Sequence, residues 1–207
     1  MIGRLVLPVL FLNALPLAAQ EAPLVYIDPG HGGEQPGVVA DGLEEKDLAL
    51  RWGFLVAEAF SAAGYATRMS RTGDVTLGFQ QRIDDAEAAG AGLFLSLHIN
   101  GDDDPTVWGT EIFLAEELPP SVAAAQAVGG ALERIGAKVT LIGQPWDVLK
   151  STTFPTLMIE LGHLTHPVER RMMVSRDYWE DAAQALVAAA QAILVAPAGP
   201  QGSQPRP

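Results

Sequence analysis

Leu24-Val-Tyr-Ile-Asp28, stopped by Pro29-Gly30 and followed by His31-Gly-Gly33, is the stretch on which the fold turns. Valine, tyrosine and isoleucine suit an extended backbone, and a Pro-Gly pair ends it. Downstream, Leu48, Trp52, Leu55, Val56, Ala59 and Phe60 recur at helical spacing, which predicts a helix from about Glu45 to Ala63, ended by Gly64. Strand, glycine-rich loop and helix make one β-loop-α unit, and the alternation continues. Tyr65 to Met69 reads as a strand and Leu77 to Ala89 as a helix near Gly90. Leu93-Phe-Leu-Ser-Leu-His98 is a strand whose near-continuous apolarity asks for cover on both faces. Thr110 to Leu114 and Thr156 to Glu160 are further strands, Ser121 to Ile135 a helix, and Tyr178, Ala182, Leu186, Val187, Ala190 and Leu194 the apolar face of a long closing helix. Without an internal repeat, this order predicts an α/β fold, a single domain with a mainly parallel twisted sheet and helices on both faces.

The chain of 207 residues suffices for one such domain, placed here at residues 23–195. Residues 1–19 combine Arg4, a short apolar run and small residues before a polar turn, the pattern of a secretory signal peptide. Two prolines and Asn13 interrupt a run already shorter than the ~20 residues that span a bilayer, so no stable membrane anchor is expected. Residues 196–207, dense in proline and glycine, read as a disordered tail. A formal net charge of −12 argues against nucleic-acid binding, because few cations are available to displace counterions. Cysteine is absent, so disulfides, thiolate metal sites and a cysteine nucleophile are excluded. Any metal site must use carboxylates and the four histidines.

Ligands of open α/β sheets bind beyond the carboxyl ends of the strands. His31 follows the first strand, His98 closes the Leu93 strand and Glu160 closes the Thr156 strand, while Glu45 begins the Trp52 helix. Two imidazoles, one carboxylate and an open position suit catalytic Zn²⁺, which lowers the pKa of bound water to about 7 and polarises a carbonyl. The other carboxylate is then a proton acceptor. Blander readings stand beside these: a solvated turn histidine at His31, a hydrogen-bonded structural histidine at His98, and a carboxylate favoured by the helix dipole at Glu45, where Glu44 serves equally well. At Glu160 a carboxylate ending a buried strand carries a large desolvation cost unless it is paired or functional.

Ile27-Asp-Pro-Gly-His-Gly-Gly33, Glu45-Lys46, Ser70-Arg71-Thr72, Arg82, Leu95-Ser-Leu-His-Ile-Asn100, Gly109-Thr-Glu-Ile112 and Ile159-Glu-Leu-Gly162 occur in an order and spacing that resembles the zinc-dependent N-acetylmuramoyl-L-alanine amidases of the Amidase_3 type. The resemblance spans essentially the whole domain. It implies hydrolysis of the amide joining the lactyl group of N-acetylmuramic acid to the L-alanine of the peptidoglycan stem peptide. It further implies His31, Glu45 and His98 as metal ligands, selecting Glu45 over Glu44, and Glu160 as the catalytic glutamate. Arg71 and Arg82 also match family positions and are expected to pair with carboxylates or loop carbonyls, and Asn100 to support the metal from behind.

Departures from the family pattern fall at Arg82-Ile-Asp-Asp-Ala86 and at Gly162-His163-Leu-Thr-His166, where His163 and His166 are expected to be exposed. Trp52 and Trp179 belong to the core, whereas Trp108 and Trp146 fall in loops and are candidates to line a glycan or peptide cleft. The interval from Ala115 to Pro155 is too short for the long inhibitory insertion of the family's cell-division members. The expected partners are peptidoglycan or a muropeptide, with a protein recruiter or activator, in the periplasm. A zinc carboxypeptidase or other peptidoglycan peptidase, and a catalytically silent wall-binding module, are the competing readings.

Overall fold

The computed structural model describes residues 22–146, 149 and 154–194. The expected signal peptide (1–19) and tail (196–207) lie outside them. Six strands form one sheet: β1 (Leu24–Pro29), β4 (Ala66–Met69), β5 (Leu93–Asn100), β6 (Thr110–Leu114), β7 (Val139–Gly143) and β8 (Thr156–His163). Their spatial order is β4-β1-β5-β8-β6-β7. All neighbours are parallel except β6 and β8, which pair antiparallel. A small hairpin, β2 (Val39–Ala40) and β3 (Leu43–Glu44), turns through Asp41 and Gly42 at φ 54° and 76°. Two successive positive φ values are the geometry for which Asp-Gly is suited.

The two faces of the sheet are built differently. Val25, Ile27, Leu93, Leu95, Leu97, Leu157 and Ile159 point to one face, where α1 (Glu45–Ala62), α3 (Pro119–Arg134) and α5 (Arg176–Leu194) cover them. Trp52, Phe60, Leu132, Trp179 and Leu186 supply the helical side of this core. Each fully buried aliphatic side chain contributes about 1.5–3 kcal/mol relative to exposure. The alternate residues Tyr26 and Phe94 point to the opposite face, where α2 (Phe79–Ala88) seats Ile83 and Ala86 against them. Farther along the same strands, the alternation places Asp28, Ser96, His98 and Glu160 on this second face. The chemistry-bearing side chains therefore share the more thinly covered face of the sheet.

Most expected elements occur within two residues of their predicted ends. The strands carrying His98 and Glu160 do not stop there, however. They run on to Asn100 and His163, with a bulge between His98 and Asn100, and bury Ile99 and Leu161 completely. The extension also corrects the expectation for His163, which is buried at 2% exposure instead of lying on the surface. Its backbone N–H donates to Glu169 Oε2 at 2.7 Å, and its Nδ1 lies 3.2 Å from the Gly109 carbonyl. Glu169 belongs to α4 (Pro167–Met172), whose first turn His166 caps by accepting from Glu169 N at 3.3 Å. Neither histidine lines the cleft that holds His98 and Glu160. Within the described part of 115–155, α3 packs on the face opposite that cleft.

Candidate active site

A loop, a helix and a strand bring three donors together. His31 sits after β1 with φ 57°, a left-handed conformation that a non-glycine residue keeps only when its surroundings hold it there. Two buried guanidinium groups do so. Arg71 donates to the carbonyls of Pro29 (3.0 Å), Gly30 (2.7 Å) and Lys46 (2.7 Å). Arg82 donates to Pro29 O (2.9 Å) and His31 O (2.8 Å) and pairs with buried Asp28 at 2.5 Å. Asp28 accepts in addition from Ser70 Oγ (2.6 Å) and Ser96 Oγ (2.8 Å), so the carboxylate is fully engaged. The expectation that these arginines organise carboxylates and loop carbonyls describes what they do.

Glu45 is the first residue of α1 and is buried. Its Oε2 accepts from Val38 N (2.9 Å) and lies 3.0 Å from His31 Nε2, while its Oε1 accepts from Ile99 N (3.1 Å) and lies 2.8 Å from His98 Nδ1. Burial opposes ionisation, but the hydrogen bonds and charges of His31 and His98 outweigh it and hold the carboxyl down to about 2. Glu44 instead ends β3 with its carboxylate half-exposed and 3.4 Å from Lys46 Nζ. One ligand-type atom from each of His31, Glu45 and His98 lies within 4.8 Å of the others, and the two imidazoles meet edge to face at 4.9 Å between centroids.

Absent side chains make room for this cluster. A Cβ on Gly30 would stand 2.3 Å from His98 Cε1, and one on Gly37 (φ 69°) would stand 2.3 Å from Glu45 Oε2 and 2.6 Å from His31 Cδ2. Two nitrogen donors and one oxygen donor, buried on one side and open on the other, fit a catalytic zinc site of the three-ligand kind.

Glu160 stands beside His98 in register across β5 and β8, and opposite Glu111 across β6 and β8. Its Oε2 is shielded from solvent and has no hydrogen-bond partner among the described residues. Burial, reinforced by the charges of Glu45 and Glu111 against the opposing influence of His98, pushes its carboxyl up to about 7. Asn100 Nδ2 donates to Glu111 Oε2 at 3.0 Å, so Asn100 holds Glu111, the cross-strand neighbour of Glu160, instead of the three-donor cluster. A cleft of about 630 Å³ opens over these groups, lined by His31, His98 and Glu160 together with Phe79, Gln80, Trp146 and Met158.

The family model described as Amidase_3, N-acetylmuramoyl-L-alanine amidase, matches residues 25–192. The chain belongs to this family. It is 30% identical over 174 residues to the N-acetylmuramoyl-L-alanine amidase LytC of Bacillus subtilis, a match covering 78% of this chain and 34% of LytC, so the chain spans about a third of that relative's length. Among solved structures, the amidase AmiC2 of Nostoc punctiforme superposes with a TM-score of 0.76 at 30% identity, over 83% of this chain and 97% of that one. An N-acetylmuramoyl-L-alanine amidase from Clostridium difficile 630 does so with a TM-score of 0.81 at 25% identity, over 86% of this chain and all of that one.

In this Amidase_3 domain the reading of the sequence overlooked Phe79, Gln80 and Met158 on the cleft wall, and Asp28 and Glu169 as buried anchors. Phe79 alone carried a signal, an aromatic side chain directly after Gly78 at a helix start. Of the two loop tryptophans, Trp146 lines the cleft, whereas Trp108 stacks on His166 at 6.5 Å beneath the Lys138 ammonium at 4.8 Å.

Proposed function

We propose that this chain is an exported zinc-dependent N-acetylmuramoyl-L-alanine amidase, cleaving the amide between the lactyl group of N-acetylmuramic acid and the L-alanine of the peptidoglycan stem. One observation carries the reading: three ligand-type atoms lie within 4.8 Å of one another, and two of their residues, His31 and His98, line a cleft together with Glu160, one oxygen of which has no hydrogen-bond partner among the described residues. His31, Glu45 and His98 would hold the ion, with Glu45 oriented by the Val38 and Ile99 amides. Zinc, when bound, supplies Lewis acidity that acidifies water and polarises a carbonyl oxygen.

The remaining steps belong to the protein. Glu160 accepts a proton from the attacking water as the new C–O bond forms at the amide carbon, then returns it to the alanine nitrogen as the C–N bond breaks. Burial raises its carboxyl above the ordinary carboxylate range in the metal-free protein, which favours the protonated form that must return the proton. His31 is fixed by Arg71 and Arg82 through its loop, so the donor set is arranged before substrate arrives.

Export follows in this reading from residues 1–19 acting as a signal peptide, which places the 23–195 domain and the 196–207 tail in the periplasm. No helix among the described residues is long and apolar enough to cross a membrane. Contact with the wall then depends on the cleft or on a protein recruiter. Mass spectrometry of muropeptides digested with the zinc-loaded protein tests the activity. Intact stem peptides and peptide-free glycan are expected; stems shortened from their far end would replace the amidase with a peptidase.

A further inference from the structure

The cleft is larger than the cleavage chemistry needs. Beyond His31, His98 and Glu160, its wall is Phe79, Trp146 and Met158, with Gln80 as an uncharged polar group. Phe79 and Trp146 expose 61% and 41% of their surface. Two large aromatic side chains left open beside a reactive centre mark a surface that a ligand covers. Trp146 is also held in place: its ring stacks on Phe113 at 5.0 Å between centroids, and Phe113 in β6 stands in register with Met158 in β8. The platform thus rises from the sheet that carries Glu160, and little side-chain freedom is lost when something settles on it.

We propose that Trp146, backed by Phe113 and flanked on the cleft wall by Phe79, is the platform for the muramoyl sugar ring of the substrate. The proposal rests on the amidase reading above and assigns a side of the scissile amide to a side of the cleft. Charge selects the occupant. Among the described residues, no lysine or arginine lines the cleft, and its ionisable carboxylate is Glu160. The stem peptide carries carboxylates and finds no cationic side chain among the described residues of this wall. The N-acetylated sugar is neutral and presents an apolar C–H face rimmed by polar groups, matching an indole with Gln80 nearby. Alanine's methyl group is too small to cover two aromatic rings. Trp108 supplies the contrast, being 48% exposed but partnered by Lys138 and His166 outside this wall.

Two substrates with the same stem peptide test the assignment, one an N-acetylmuramoyl-peptide and the other a lactoyl-peptide lacking the ring. For the zinc-loaded enzyme, W146A is expected to lower the preference in kcat/KM for the muramoyl substrate about tenfold, chiefly through KM, with W146F retaining most of it. W108A is expected to keep the preference. Equal losses on both substrates in W146A, or no loss, would overturn the platform. Binding separates this result from the fate of the amidase reading. In an E160Q background, the disaccharide of N-acetylglucosamine and N-acetylmuramic acid, its lactyl carboxyl capped as the primary amide so that the probe is neutral, is titrated by fluorescence, and adding W146A should raise its Kd about tenfold. An unchanged Kd rejects the platform even if the enzyme is an amidase. A raised Kd with no peptide release by the wild type supports the platform and removes the amidase.

Discussion

Glu160 faces Glu111 across one strand boundary and His98 across another, so neighbours on both flanks act on its charge. Removing the charge while keeping the shape is the most direct probe of its role. E160Q is expected to retain zinc, measured by plasma emission, and to lose hydrolysis by several orders of magnitude. Turnover at the wild-type rate would withdraw the proton-transfer role. His98→Ala is expected to lose bound zinc by the same measurement. The raised carboxyl also makes a prediction for the metal-free protein. With a folded value near 7 against an ordinary 4.5, the fold favours protonated Glu160. Its contribution is therefore complete below about 4.5 and declines as pH rises toward 7. The Tm of the wild type minus that of E160Q should fall across this window, and a flat difference would reject a burial-driven shift. Glu45, held down to about 2, loses its contribution at the acid end, below this range.

At the scale of elements, α2 is tied to the loop after β1 by Arg82, whose partner Asp28 is buried at 1% exposure. R82M leaves that carboxylate without its cation and should destabilise the fold by about 3–5 kcal/mol in chemical denaturation, part of which D28N added to R82M recovers. G37A places a methyl group against Glu45 and His31, and weaker zinc binding is expected in a competition titration with a chelator. The βα unit around Asp28, the helix ended by Gly64 and the central Leu93 strand were legible because their apolar spacing and glycine stops are local signals. The β7 strand was not, since Val139–Gly143 is a short edge strand with no fully buried residue. Its place in the sheet comes from pairing with β6, a partner distant in sequence. The β2–β3 hairpin and α4 are shorter than the windows over which periodicity can be read. The His31, Glu45, His98 and Glu160 grouping was legible as residue types at plausible ends, but choosing Glu45 over Glu44 took a family resemblance. His163 was misjudged because β8 continues three residues past Glu160.

Across the whole molecule, helices α1, α3 and α5 take one face of the sheet and leave the other for chemistry. A net charge of −12 offers an anionic wall no general attraction. Recognition through the cleft should make binding of E160Q to isolated wall fragments nearly independent of ionic strength, measured by pelleting. A steep loss of binding with added salt would transfer recognition to a charged surface elsewhere. The division of labour among elements has one further effect. His31 comes from a loop, Glu45 from the first turn of a helix and His98 from a strand, and guanidinium groups from two other segments lock the arrangement. The unfolded chain has no such meeting point, so whatever affinity for a metal these three donors confer exists only once the domain has folded.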